Sequence, residues 1–214
     1  MSKRPVNPNW FPTPNWKKRF EWLAPLSASV ESIANFGCSL GSYEPFLLIW
    51  TSDATEVRVI EKEEEYVNAT KETQEMLEIT NPGCLEGRCV KFVIADMLST
   101  TEAELPSNYF DLAYCDEVLY YMEPDCQKVQ DAINVMARVV KPGGWIIAVE
   151  SKIGAEFKEV TDDFESKLFG RKITKPVRVS DPKNISPLFE AAGLVRCSLE
   201  DAPEYSYCYR KPFN

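Results

Sequence analysis

The chain holds 214 residues, 44% of them hydrophobic and 27% charged, a composition suited to one globular domain that buries roughly 70% of its unfolded surface. It contains no histidine, which excludes His-based catalytic triads, His zinc sites and a His general base at once. A formal charge of −9 argues against whole-surface binding to nucleic acid or to an anionic membrane.

The opening segment, Met1 to Pro14, is polar, Pro-rich and aromatic. It lacks the apolar core of a secretory leader, and four prolines make it extended or turn-like. Lys17 to Leu26 reads as a short amphipathic helix, with Lys17, Lys18 and Arg19 as a basic, solvated face. Ser32–Phe36 reads as a strand that runs into the turn Gly37-Cys38-Ser39-Leu40-Gly41, and Pro45–Trp50 as a buried helix. No apolar run in the chain exceeds the five residues of Phe46–Trp50, far short of the ~20 residues that span a bilayer. Val57–Glu61 is the next strand, followed by a charged helix over 63–79 that Asn81-Pro82-Gly83 ends.

Val90–Ala95 and Tyr109–Cys115 continue the strands. Pro124 to Val140 reads as a helix, because Val129, Ile133, Met136, Ala137 and Val140 share one face. Pro142-Gly143-Gly144 stops it, and Trp145–Val149 has the near-continuous apolar run of a central parallel strand. Residues 152–180 fit no βα unit and are expected as an inserted helix plus loop over the active face. A helix over Ile185–Ala192 precedes two short strands, Leu194–Leu199 and Tyr205–Arg210, expected as an antiparallel hairpin. Repeated βα units imply a parallel sheet with helices on both faces. Seven cysteines, an odd number without short-spaced pairs, read as reduced thiols in a cytoplasmic protein. Cys84 and Cys89, with no histidine to join them, read as free thiols, so no metal is expected.

Strand, glycine turn and helix in this order make a nucleotide-type crevice, since Gly37 and Gly41 permit close backbone approach to a ligand. Glu61 ends the second strand 20 residues after Gly41, where an acid accepts hydrogen bonds from both hydroxyls of a ribose. Its plain alternative is a solvated carboxylate in the acidic run that follows. Asp96 ends the third strand, placed to accept from an exocyclic amine or, more plainly, to cap a turn. Asp116 and Glu117, with Tyr120 and Tyr121, follow the fourth strand. Adjacent acids do not face one target, so at most one of the two is expected to act as a base. The plain alternative for this cluster is helix N-terminal charge with packing aromatics. Cys38 reads as a small packing residue rather than a nucleophile. Trp10, Phe11 and Trp16 either cover the pocket mouth or tie down the N-terminus.

Asn35-Phe36-Gly37-Cys38-Ser39-Leu40-Gly41 resembles the glycine motif of class I S-adenosylmethionine-dependent methyltransferases. Glu61 falls where their ribose acid falls, and Asp96-Met97 looks like their adenine-contact pair. Tyr109 to Tyr121 resembles their fourth-strand motif, and Val139-Val140-Lys141-Pro142-Gly143-Gly144 their Leu-Lys-Pro-Gly-Gly signature. The likeness covers residues 30–151. It implies a Rossmann-like α/β sandwich: a seven-stranded, mostly parallel sheet with a C-terminal antiparallel hairpin and helices on both faces. A single domain over 1–214 is expected, with 1–30 as an N-terminal cap segment and 152–180 as the insertion.

The resemblance implies methyl transfer from S-adenosylmethionine to a small-molecule or protein acceptor by in-line displacement, with S-adenosylhomocysteine as product. It implies cofactor contacts at Asn35, Gly37, Cys38, Ser39, Gly41, Glu61, Lys62, Asp96, Met97 and Cys115, and catalysis at Asp116, Glu117 and Tyr120. A narrower likeness ties Gly37 to Phe46 to the Ser-Thr-Gly-Glu-Glu-Pro-Tyr turn of chemotaxis-receptor glutamate methyltransferases, which makes a protein carboxyl methyltransferase the alternative enzyme. Their N-terminal helical domain is absent, and Asp116 stands where they carry Arg. Asn35 replaces the wider family's usual acid and Ser39 its usual Gly. These departures motivate a reading from another class, a non-catalytic S-adenosylmethionine-binding protein that kept the fold.

Overall fold

The computed structural model describes residues 20–38, 44–52, 54–123 and 125–213. The basic triplet Lys17-Lys18-Arg19, the aromatics Trp10, Phe11 and Trp16, and the turn residues Ser39 and Gly41 lie outside them. The chain enters through a 3-10 helix, Ala24–Ser29, with a proline in its first turn; the described part of the expected Lys17–Leu26 helix thus ends in a tighter coil. Then follow β1 (Ser32–Phe36), α1 (Glu44–Thr51), β2 (Glu56–Glu61), α2 (Glu64–Thr80), β3 (Cys89–Ile94) and β4 (Phe110–Asp116). Next come α3 (Cys126–Val139), β5 (Val140–Val149), β6 (Phe157–Thr161), α4 (Asp163–Phe169), β7 (Thr174–Arg178), α5 (Ser186–Ala191), β8 (Val195–Arg196) and β9 (Ser206–Arg210).

Seven strands form one sheet in the order β3-β2-β1-β4-β5-β9-β8. The first five are parallel; β9 pairs antiparallel with β5, and β8 with β9. Alternate residues of each strand feed opposite faces, as the pleat requires. Ile33, Leu112, Tyr114 and Ile147 join α1 and the N-terminal 3-10 helix in one apolar layer. Ala34, Phe36, Ala113, Cys115 and Ala148 join α3 and Phe189 of α5 in the other. The sheet is therefore a three-layer α/β sandwich, as expected.

Three local expectations change. First, β5 begins at Val140, so Lys141 to Gly144 lies inside the strand: Val140 pairs with Phe110, and after an irregularity Trp145 pairs with Leu112. A left-handed Gly143, φ 78°, absorbs the bend, so the Pro-Gly-Gly stretch shapes a strand entry rather than a loop. Second, residues 152–180 hold the short helix α4 between the two strands of an antiparallel hairpin, β6 with β7, where a helix plus loop was expected. Both strands are largely solvent-exposed, so no in-out alternation marks them in the sequence. Third, the penultimate strand shrinks to the two residues of β8, at the outer edge of the sheet.

Strand order places the carboxyl ends of β1 and β4 side by side, with the chain leaving β1 toward β2 on one side and returning to β4 on the other. A crevice opens at such a switch point. The opposite, amino edge is closed by Asp111, which accepts from the Ser32 N–H (3.0 Å), the Ser32 hydroxyl (2.9 Å) and the Lys141 ammonium (2.7 Å).

Candidate active site

At the end of β1, Gly37 adopts φ 82°. Its N–H donates to the Ile60 carbonyl at 2.7 Å, and a Cβ there would stand 2.6 Å from Cγ2 of Val118. Only glycine satisfies both the left-handed backbone and this close approach. Asn35, fully buried, donates from Nδ2 to the Gly37 carbonyl at 3.2 Å. Its Oδ1 is buried and has no hydrogen-bond partner among the described residues.

Glu61 binds the turn from the side. Its Oε2 accepts the Cys38 N–H at 2.9 Å and its Oε1 the Glu63 N–H at 3.0 Å. One carboxylate, 9% exposed, therefore ties the glycine turn to the entry of α2. Each oxygen keeps a second lone pair. Of the two readings open from sequence, the solvated carboxylate is set aside by this burial. Lys62 is exposed and lies 3.7 Å from Glu63, a pair of little energetic weight. Cys38 is buried, and burial pushes its thiol up to about 12; it stays protonated, as a packing residue would.

Asp96 caps the short 3-10 turn Met97–Ser99, with Oδ1 accepting the Leu98 N–H at 2.9 Å. Met97 is buried in the same apolar layer as α3. On the other side of the crevice, the Cys115 thiol is fully buried and donates to Glu150 Oε1 at 3.7 Å. Asp116 accepts from the Tyr114 hydroxyl at 3.4 Å. Glu117 sits at φ 55°, a costly conformation for a residue with a Cβ and one that clusters at functional sites. Its Oε1 accepts from the N–H (3.2 Å) and the hydroxyl of Ser151, while Oε2 is buried without a partner among the described residues. Tyr120 packs on Tyr121, ring centroids 4.0 Å apart, beneath the Lys152 ammonium. Burial and the Tyr121 hydroxyl push its phenol well above the usual range.

Sequence reasoning missed Glu150. This residue follows β5 and is fully buried. Its Oε1 accepts the N–H groups of Val118 (3.1 Å) and Leu119 (2.9 Å), and Oε2 that of Tyr120 (3.3 Å). Burial pushes its carboxyl up to about 8, against the pull of these amides and with a further push from the Glu117 charge. The available signal was its position: like Glu61 and Asp96, it is the acid at a strand's carboxyl end. The structure thus brings together Asn35, Gly37, Cys38 and Glu61 on one side of the switch point, and Cys115, Asp116, Glu117 and Tyr120 on the other. Val118 against Gly37 joins the halves.

Residues 35–148, more than half of the chain, match the family described as Methyltransferase domain. No curated protein matches the chain in sequence. Among solved structures, the chain is similar to the N-methyltransferase NodS from Bradyrhizobium japonicum WM9 in complex with S-adenosyl-l-homocysteine, at 19% identity, 94% of this chain, 88% of that chain and a TM-score of 0.55. It is similar to an S-adenosylmethionine-dependent methyltransferase from Clostridium acetobutylicum ATCC 824, at 11% identity, 92% of each chain and a TM-score of 0.60. The sugar N-methyltransferase KedS8 from Streptoalloteichus sp ATCC 53650 follows, at 13% identity, 92% of this chain, 86% of that chain and a TM-score of 0.56. At these identities the likeness is one of fold.

Proposed function

This chain belongs to the methyltransferase-domain family, and from that membership we propose that it moves a methyl group from S-adenosylmethionine to a small-molecule or protein acceptor, leaving S-adenosylhomocysteine. The observation that carries the cofactor assignment is Glu61: buried, bonded to the backbone of the glycine turn and of the entry to α2, and left with a free lone pair on each oxygen for two ribose hydroxyls. The unpartnered Oδ1 of Asn35 fits the ammonium group of the same ligand as a neutral acceptor, in the place where the family usually holds a charge. Among the described residues no cluster of metal ligands occurs, and no helix is long and apolar enough to cross a membrane.

When bound, the sulfonium supplies a methyl group already activated for transfer, so the chain's own work is alignment and proton removal. Glu117 is the base in this reading. Ser151 orients one oxygen, and the other is buried without a partner among the described residues. Tyr120, held protonated, donates to the acceptor. Asp116 stands beside them, engaged with Tyr114.

Calorimetry with S-adenosylhomocysteine tests the cofactor half. Glu61→Ala is expected to weaken binding at least tenfold, ~1.4 kcal/mol; unchanged affinity removes Glu61 from the site. An acceptor panel tests the other half. Glu117→Gln is expected to slow transfer to a protonated amine or hydroxyl by ~100-fold, the scale of general-base catalysis. A protein carboxylate has no proton to lose, so transfer to glutamate side chains that survives this substitution favours the carboxyl methyltransferase reading. Tight binding with no turnover on any acceptor favours the non-catalytic one.

A further inference from the structure

We propose that Glu150 is a positioning residue of this site, gripping the backbone of Val118, Leu119 and Tyr120 from beneath and thereby setting both the cofactor crevice and the candidate donor Tyr120. The inference rests on the methyl-transfer reading above. Its ground is geometric. Three successive amides of one turn converge on a single carboxyl group, at 3.1, 2.9 and 3.3 Å, in a place closed to water. The turn they belong to carries Val118 against Gly37 on one side and Tyr120 on the other. A shift of this turn therefore moves the wall of the glycine turn and the candidate donor together.

Every element packed around Glu150 bears on its charge. From β4 comes the Cys115 thiol, from the turn Glu117 and Tyr120, and from β9 Tyr207, whose phenol is pushed up by burial and by Glu150. The Glu150 N–H donates to the Tyr205 carbonyl at 3.1 Å, and Arg178 of β7 bonds the Tyr205 hydroxyl and the Ser151 carbonyl. The 157–178 hairpin is thus fastened to the segment that carries Glu150. Because the carboxyl prefers its proton in the closed arrangement and gives it up more readily in water, ionisation favours opening of the turn.

The test measures two quantities between pH 6 and pH 9.5 on the full chain. One is amide hydrogen exchange at Val118, Leu119 and Tyr120, corrected for the intrinsic rate; the other is S-adenosylhomocysteine affinity by calorimetry. In the wild type, protection and affinity are both expected to fall about tenfold as pH rises through about 8. In Glu150→Gln, which cannot ionise, that component is expected to vanish from both. The difference between the two proteins cancels the ligand's own ionisation. Glu117→Gln, which removes the repelling charge, is expected to move the midpoint to lower pH, and it decides the matter if Glu150→Gln does not fold. Matching profiles in wild type and Glu150→Gln, or a midpoint unmoved by Glu117→Gln, overturn the proposal. Absence of wild-type binding at every pH instead overturns the cofactor reading, and the exchange data then judge Glu150 alone.

Discussion

Glu150→Ala is expected to lower the free energy of unfolding by about 3 kcal/mol or more, since three buried amides lose their acceptor at roughly 1 kcal/mol or more each. Urea unfolding measures it. The size of the deficit also depends on pH, and the sign follows from linkage. The carboxyl has a folded value near 8 against 4.5 ordinarily. Between those values the unfolded chain has released the proton and the folded chain still holds it. Wild-type stability from this group is therefore full below about pH 4.5, falls as pH rises toward 8, and is flat above. The variant lacks the slope, so its deficit is expected to be largest in acid and smallest at pH 9. A deficit that does not vary with pH contradicts the raised value, and no deficit at all contradicts the amide cluster.

Gly37→Ala is the second large effect. An L side chain at φ 82° costs roughly 1–2 kcal/mol, and the added Cβ at 2.6 Å from the Val118 methyl forces the turn or the valine to move, which adds about 1–3 kcal/mol of overpacking. The displacement acts at the glycine turn itself, so S-adenosylhomocysteine affinity is expected to drop more than tenfold. Gly87 separates the two contributions. It has φ 75° but nothing within 4 Å of its Cβ position. Gly87→Ala is thus expected to show the backbone cost, ~1 kcal/mol, and no change in ligand affinity. Equal losses at the two positions rule out the Val118 contact as the cause.

Both predictions concern contacts that bridge residues far apart in the chain, and this separates what was legible from what was not. The order of elements was readable because their patterns are local: Ser32 to Phe36 is a short run buried throughout, as a central parallel strand requires, and burial from Val129 to Val139 repeats about every 3.6 residues. The acids at the ends of β2 and β3 were readable because a strand's carboxyl end is itself a local mark. Gly37 was readable as a special backbone, but its neighbour Val118 was not, because strand order brings them together across 81 residues. Strands β6 and β7 escaped because both faces are wet, and an exposed hairpin has no hydrophobic period to display.

The amino-acid order alone determined the alternation of strands and helices, the glycine turn and the row of carboxylates along one edge, because each depends on neighbours within a turn or two. Only the tertiary structure decided how those carboxylates are spent. Glu61 binds an amide 23 residues away and Glu150 binds three amides some 30 residues away. Burial and hydrogen bonding to distant backbone, rather than residue type, set a carboxyl group's charge and its grip.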